Sequence, residues 1–183
     1  MKKTIHIISI CIFILVGCQA QVPKFDGDKA FSHLVAQCNF GPRNPGSDGH
    51  KKALAYFIDV LSPLADTVFT QPFEDTMPRT GKIVQMHNVI AQFNPDAKKQ
   101  IMISAHWDTR PWGDRGTSIM GKNQPIMGAN DGASGVAVIL ELARIFHGDS
   151  PRVGVSLVLF DAEDYGTTGD SWTYCIGSQY FAK

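Results

Sequence analysis

The sequence predicts an α/β fold in which a mixed, mainly parallel sheet carries helices on both faces. Residues 101–106 and 154–161 have the apolar character of short strands, and between them residues 134–147 repeat apolar side chains at helical spacing. A strand, a helix and a second strand in this order form a parallel β-α-β unit. The second strand is apolar almost throughout, which is typical of a strand covered on both faces.

The composition is that of one globular domain. The 183 residues are 44% hydrophobic, and 17 basic residues balance 17 acidic residues, so that the formal net charge is zero. A chain without excess positive charge or a basic run has no electrostatic basis for binding nucleic acid. No linker divides the sequence, and we therefore expect residues 26–183 to belong to a single domain.

Two helices are predicted before the β-α-β unit. Residues 24–38 show helical periodicity, and the loop at 40–50 is dense in Gly and Pro. Ser47 is placed to cap the second helix, with Asp48 favourable in its first turn. The apolar face of the first helix is predicted to comprise Phe31, Leu34 and Val35.

Two further strands are predicted between the second helix and the β-α-β unit. Residues 66–73 and 83–93 are rich in β-forming side chains, and the second segment alternates between apolar and polar residues. Pro78 and Gly81 mark the connection between them. We expect these early strands to pair antiparallel, which makes the sheet mixed.

The N-terminus has the features of an export signal. Met1-Lys2-Lys3 precedes an apolar segment that is too short to span a bilayer as a stable helix, and this segment ends in Leu15-Val16-Gly17-Cys18. That ending resembles a bacterial lipobox, which implies a signal peptide at residues 1–17 and lipidation of Cys18. Residues 18–25 would then be the anchor and tether of a lipoprotein exposed at the cell envelope. An ordinary signal peptide is the alternative, and in both cases the protein is exported.

Two cysteines remain for the folded domain. Cys38 and Cys175 lie in an oxidising compartment if the protein is exported, where pairing is chemically possible. Neither has a spacing typical of a metal site. We expect two buried free thiols.

Charged side chains cluster where strands end. His106 and Asp108 lie at and just after the strand at 101–106, and Glu163 and Asp164 follow the strand at 154–161. Ligands of open α/β sheets bind at the carboxyl ends of strands, and Asp131, just before the predicted helix, can reach the same edge. Singly, each group also fits a surface ion pair, a capped turn or a solvated loop. Together, they predict a site.

The charge of these groups indicates a metal ion. Several carboxylates that converge at one edge raise one another's pKa values unless a cation compensates them. Imidazole and carboxylate ligands without thiolate suit Zn²⁺ at a catalytic site. A nearby carboxylate that does not bind the metal can then act as a general base.

Five ordered motifs resemble the superfamily of zinc-dependent aminopeptidases and glutaminyl-peptide cyclotransferases, that is, peptidase family M28. They are FGPRNPGS (40–47), HNVIAQF (87–93), SAHWDTRP (104–111), GANDGASGVAVILELAR (128–144) and LFDAEDYG (159–166). The resemblance implies a three-layer zinc exopeptidase-like fold, with residues 26–183 as the N-terminal part of its catalytic domain. The FDAEDYG turn and the segment GDSWTYCIGSQYFAK (169–183) look most like bacterial glutaminyl cyclases.

The resemblance also implies roles for individual residues. Asp131, Asp164 and His106 would be metal ligands, and Glu163 would be the general acid and base. Asp108 would orient the imidazole or a neighbouring ligand without binding the metal. One zinc ion is expected for a cyclase and two for an aminopeptidase.

Several other residues near these motifs are expected to be structural. Asp161, at the end of the strand, is not expected to take part in catalysis. Trp107, Trp112 and Trp172 are candidates either for lining a substrate pocket or for core packing.

Three functions follow from the resemblance. A cyclase converts the N-terminal Gln of a peptide to pyroglutamate and releases ammonia, with Glu163 moving the proton. An aminopeptidase uses the same carboxylate to activate water against the first peptide bond. The third possibility is a lipoprotein that keeps the fold as a binding module, which the presence of Asp131, Glu163 and Asp164 disfavours. The expected partners are peptides with free N-termini, and the membrane only through the lipid anchor.

The resemblance implies a further histidine ligand, and in aminopeptidases a further aspartate, from sequence after Lys183. Folds of this kind need roughly 300 residues. We therefore expect the sheet to be incomplete at the C-terminal end of this chain. By itself, the chain is expected to bind zinc poorly and to lack activity.

Overall fold

The computed structural model describes residues 22–113 and 124–183, so that the predicted signal peptide and Cys18 lie outside the described residues. The helices are α1 (Gly27–Asn39), α2 (Asp48–Leu61), α3 (Ser134–Gly148) and α4 (Ile176–Phe181). The strands are β1 (Thr67–Thr76), β2 (Ile83–Phe93), β3 (Gln100–His106) and β4 (Gly154–Phe160). Short π- and 3-10-helical turns occupy Ala129–Ala133 and Ser171–Thr173. None of the helices in this part of the chain is long and apolar enough to cross a membrane.

The four strands form one mixed sheet in the order β1-β2-β4-β3. The predicted parallel pair is confirmed, because β3 and β4 run side by side with Ile101 opposite Val155 and His106 opposite Phe160. The pairs β1–β2 and β2–β4 are antiparallel, so the parallel majority that we expected is not found among the described strands. The antiparallel β1–β2 pair is the one expected of the early strands and fits their short connection. The unpredicted pairing is that of β2 with β4.

Helices cover both faces of the sheet, as the sequence predicts. On one face, α2 and α3 bury a core with the odd-numbered residues of β2 and β4, and this core includes Phe57, Leu61, Trp107, Ile139, Leu140, Leu157 and Leu159. On the other face, α4 packs against β2 and β1, and the ring of Phe181 lies 5.5 Å from that of Phe160. The Asn88 side-chain amide fixes α4 by donating to the Gly177 carbonyl at 2.8 Å.

The starts of both early helices follow from their capping residues. Ser47 Oγ accepts a hydrogen bond from the His50 backbone N–H at 3.1 Å, which confirms the predicted cap of α2. Asp26 caps α1 in the same way, through the backbone N–H groups of Asp28 and Lys29.

The buried face of α1 is not the predicted one. Phe31 is 63% exposed and Val35 is also exposed, whereas Ala30 and Gln37 are buried. The reason is that α1 packs against α3 and the turn at Ala129–Ala133 and not on the sheet. Gln37 Nε2 donates to the Ala133 carbonyl at 3.1 Å, so a polar contact takes the place that periodicity assigns to apolar side chains.

Cys38 and Cys175 are both free. The prediction of unpaired thiols is therefore confirmed. Both side chains are partly exposed, so the expected full burial is wrong.

Candidate active site

The candidate site lies at the edge of the sheet where the parallel strands β3 and β4 both end. His106 is the last residue of β3, and residues 161–164 turn away directly after β4. Asp131 reaches the same edge from the π-helical turn that precedes α3. A cavity of about 300 Å³ opens here, and its lining includes His106, Asp131 and Glu163. Three segments that are distant in sequence thus meet where a ligand site of an α/β sheet is expected.

His106 is surrounded by carboxylates on both sides of its ring. Its Nε2 lies 2.8 Å from Asp131 Oδ1, and its Nδ1 lies 3.4 Å from Asp108 Oδ1 and 3.9 Å from Glu163 Oε2. Burial alone would lower the pKa of His106, but the hydrogen bond and charge of Asp108, with Glu163 and Asp131, raise the pKa to about 9. The imidazolium supplies the positive charge that these carboxylates need, and a metal cation can supply the same charge.

Asp108 organises the turn that carries Glu163 and Asp164. Its side chain is completely buried and accepts the backbone N–H of Glu163 at 2.9 Å and that of Asp164 at 3.1 Å. The same carboxylate faces His106. Asp108 therefore contacts the imidazole and the turn at once. Its role in orienting a metal ligand stays a prediction.

Asp164 is held by an arginine that the sequence interpretation did not single out. Arg110 Nη1 donates to Asp164 Oδ1 at 2.8 Å, and Arg110 Nη2 donates to the Tyr174 hydroxyl at 3.2 Å. Burial raises the pKa of Asp164 to about 6, although Arg110 acts in the opposite direction. The only signal for Arg110 is its place in the SAHWDTRP motif, two residues after Asp108.

Arg43 is a second missed residue, from the FGPRNPGS motif. Its guanidinium is fully buried and donates to the backbone carbonyls of Trp107 at 3.1 Å and Gly128 at 2.9 Å, as well as to those of Gln37 and Met127. It therefore ties the segment after β3 to the segment that leads into Asp131. Burial lowers the pKa of Arg43.

The remaining residues near the site have structural contacts. Asp161 is buried and binds His50 Nε2 at 2.8 Å and the His87 backbone N–H at 2.8 Å, in line with the structural part expected of it. Trp107 and Trp112 are buried and Trp172 is 80% exposed. None of the three lines the cavity beside His106. Trp107 stacks on the His50 ring at 4.4 Å, as a core residue does.

The donors suit zinc in kind but do not form a complete set in the described residues. His106 and Asp131 provide an imidazole and a carboxylate in contact, without any thiolate, which is the chemistry of a catalytic zinc site. Within residues 22–113 and 124–183, no group of three or more His, Cys, Asp and Glu side chains is arranged to hold a metal ion. The structure thus brings two of the three predicted ligands together, while Arg110 holds the third, Asp164.

Comparison with known proteins agrees with this geometry. The model of peptidase family M28 matches residues 88–183, which include the second half of β2, all of β3, α3, β4 and α4, and every candidate site residue named above except Arg43. The chain belongs to peptidase family M28. The resemblance noted in the five sequence motifs is confirmed.

Among solved structures of similar proteins are two from Bacteroides thetaiotaomicron. A glutaminyl cyclase bound to N-acetylhistamine is 37% identical with a TM-score of 0.83, and the match covers 88% of this chain and 57% of that one. A leucine aminopeptidase precursor is 38% identical with a TM-score of 0.82, and the match covers 88% and 58%. The zinc exopeptidase-like α/β fold is therefore confirmed for the part that is described.

A curated relative points in the same direction. A glutaminyl-peptide cyclotransferase from Drosophila melanogaster is 27% identical over 147 residues, which are 78% of this chain and 39% of that protein. The chain thus spans well under two thirds of the length of the relatives that it matches.

Proposed function

We propose that the whole protein is a zinc-dependent glutaminyl-peptide cyclotransferase, which converts the N-terminal Gln of peptides to pyroglutamate with release of ammonia. The observation that carries the proposal is the contact of His106 with Asp131 beside Glu163, in one small cavity at the end of β3 and β4. The similarity to two glutaminyl cyclases, one bacterial and one from Drosophila, supports the substrate class.

The proposed metal ligands are His106, Asp131 and Asp164, with one zinc ion in a cyclase. Bound zinc would polarise the side-chain amide of the substrate and stabilise the negative charge that develops on its oxygen. His106 would have to lose the proton that its carboxylate neighbours now favour, because a histidine ligand is neutral. Asp108 would keep the imidazole and the turn at 163–164 in place.

Glu163 is the proposed proton carrier. The substrate's α-amine attacks its own side-chain carbonyl, forming the ring C–N bond, and Glu163 takes the proton that this nitrogen releases. Glu163 then gives the proton to the departing amide nitrogen, which leaves as ammonia. Because the attack is intramolecular, fixing the substrate in a small cavity supplies part of the rate acceleration.

An aminopeptidase is the second candidate, because of the similarity to a leucine aminopeptidase precursor. Two zinc ions would then be bound, and Glu163 would activate water against the first peptide bond. In both cases the substrates are peptides with free N-termini.

The two activities are separated by their products. The full-length protein is incubated with a Gln-initiated peptide, and the products are analysed by mass spectrometry. A cyclase lowers the peptide mass by one ammonia without shortening it, and an aminopeptidase releases a free amino acid. A matched peptide with an acetylated N-terminus should not react. No product from either peptide would contradict both activities and favour a non-catalytic binding protein.

We also propose that the protein is exported and attached by a lipid on Cys18 to a membrane of the bacterial cell envelope, with no other membrane contact and no nucleic-acid partner. This rests on the N-terminal sequence and on the zero net charge.

A further inference from the structure

Arg110 is a buried cation whose partner is a proposed metal ligand. It is 6% exposed, and its Nη1 lies 2.8 Å from Asp164 Oδ1. The contact uses only one of the two carboxylate oxygens of Asp164. The ion pair thus fixes the direction of the side chain. Within the described residues Oδ2 has no hydrogen-bond partner, so it is the oxygen that a metal would bind.

The surroundings of Arg110 restrict its guanidinium to this position. The Tyr174 hydroxyl accepts from Nη2 at 3.2 Å, and the guanidinium carbon lies 5.6 Å from the ring centres of both Trp112 and Tyr174. The Arg110 carbonyl accepts the Ile126 backbone N–H at 3.1 Å, which also fixes its main chain. A planar guanidinium held in this way keeps a carboxylate oriented better than a flexible ammonium group does.

Arg110 and Asp108 act on the same turn from one segment. Asp108 binds the backbone N–H groups of Glu163 and Asp164, and Arg110, two residues later, binds the Asp164 side chain. The segment after β3 therefore fixes both the main chain and the side chain at Asp164. No role in the proton transfer is needed to explain this arrangement.

We propose that Arg110 is a positioning residue that presents Asp164 to the metal ion. This inference rests on the proposed zinc-dependent function. Outer partners of carboxylate and histidine ligands typically change metal affinity by about 10- to 100-fold when they are removed. The expected effect of losing Arg110 is therefore on zinc affinity first and on turnover only through the bound metal.

The test compares Arg110→Gln, Arg110→Lys and Tyr174→Phe in the full-length protein. Zinc dissociation constants are measured by competition with a chelator, and the melting temperature is measured for the metal-free proteins. Arg79→Gln is the matched control, because Arg79 is an exposed arginine 4.3 Å from the same Trp112 ring.

We expect the zinc dissociation constant of Arg110→Gln to rise about 10- to 100-fold. The zinc dissociation constant of Arg110→Lys should lie between those of Arg110→Gln and the wild type. Tyr174→Phe should raise the constant less than Arg110→Gln does, and Arg79→Gln should leave it at the wild-type value. Saturating zinc should restore kcat of Arg110→Gln with an unchanged KM.

Two results would refute the positioning role of Arg110, and a third would also refute the proposed zinc-dependent function. Wild-type zinc affinity in Arg110→Gln and Arg110→Lys refutes the positioning role. A lowered melting temperature of metal-free Arg110→Gln, with activity that zinc does not restore, shows a purely structural role. If the wild-type protein itself binds no zinc, the proposed function fails together with this inference.

Discussion

His106 and Asp131 are 25 residues apart in sequence, and their side chains meet at 2.8 Å between Nε2 and Oδ1. The contact joins the end of β3 to the turn before α3. Glu163, from the end of β4, lies 3.9 Å from the other ring nitrogen of His106. One imidazole thus marks the position where all three segments converge.

Replacing Glu163 by Gln should remove turnover and keep the metal. The amide has the same shape but cannot accept a proton, and general acid–base catalysis typically contributes about 100- to 10,000-fold. We expect kcat/KM to fall by this factor in the full-length protein while the zinc content stays at the wild-type level. The control is Glu74→Gln, an exposed carboxylate on β1. Unchanged turnover in Glu163→Gln would refute the assignment of the base.

Replacing Asp108 by Asn should destabilise the fold and the site together. The backbone N–H groups of Glu163 and Asp164 bind different oxygens of the carboxylate. In asparagine an NH2 group, which cannot accept, replaces one of these oxygens. An unsatisfied buried donor costs about 1–3 kcal/mol. We expect the free energy of unfolding of the metal-free protein, measured in urea, to fall by this amount.

The matched control for this change is Asp59→Asn, at an exposed position of α2. Its free energy of unfolding should stay within about 0.5 kcal/mol of wild type. Equal values for the two variants would mean that the buried contacts of Asp108 contribute nothing.

The sequence predicts secondary-structure elements and candidate ligand residues better than it predicts which distant residues contact one another. Ser47 as a cap and Asp131 at the edge of the sheet follow from local pattern and from the position of strand ends, which are short-range rules. Arg43 and Arg110 could not be found in this way, because a buried arginine is defined by acceptors from distant segments. Periodicity also placed Phe31 in the core, although α1 packs on α3 and on the turn before it, where Gln37 binds the Ala133 carbonyl. The element that a helix packs against decides which of its faces is buried, and the sequence of the helix alone does not show which element that is.

The prediction of a mainly parallel sheet is not met among the described strands, for a related reason. The β-α-β unit predicts one parallel pair, β3 with β4, and this pair is present. Whether β2 lies beside β4 or elsewhere depends on the whole sheet. Its antiparallel place next to β4 has no signature within residues 83–93.

Glu141 should make stability depend on acid pH. Its buried carboxylate binds Arg144 at 2.6 and 2.8 Å and the Asp26 backbone N–H at 2.9 Å, and the hydrogen bond to Arg144 is the main reason that the pKa of Glu141 lies below its usual 4.5. A lowered pKa in the folded state means stability that is fully present above pH 4.5. This contribution is lost as the pH falls through the lower value of the folded protein.

We therefore expect Glu141→Gln to lower the free energy of unfolding at neutral pH by about 1–3 kcal/mol, because hydrogen bonds of a charged group are lost. The difference from wild type should narrow below pH 4.5, where the wild-type carboxylate becomes protonated. Urea unfolding over a pH series measures both effects. For the control Glu74→Gln, the free energy of unfolding should differ little from wild type, and this difference should not narrow below pH 4.5. If the difference between Glu141→Gln and wild type widens in acid, the predicted direction of the pH dependence is wrong.

The first described residues enter the domain far from the cavity. The Asp26 N–H binds Glu141, the middle residue of α3, and the Lys24 carbonyl lies 3.4 Å from Arg144 Nη2, nearer its C-terminal end. Val22 and Pro23 line a cavity with Ile145 and Asp149 at that end. Asp131 lies just before the N-terminus of that helix, whose 15 residues span about 22 Å. A lipid on Cys18 would therefore hold the domain by the end opposite the cavity.

Replacing Cys18 by Ser should release the protein from membranes without changing its activity. Lipidation requires the thiol, so the variant should appear in the soluble exported fraction, while the matched Cys38→Ser variant should still sediment with membranes. Because residues 22–25 lie against the C-terminal part of α3 and the cavity lies at its other end, the attached and the released forms should have the same kcat/KM for soluble peptides. Fractionation with an activity assay measures both. Cys18→Ser protein that remains with membranes would contradict the anchor, and a much slower attached form would contradict the orientation.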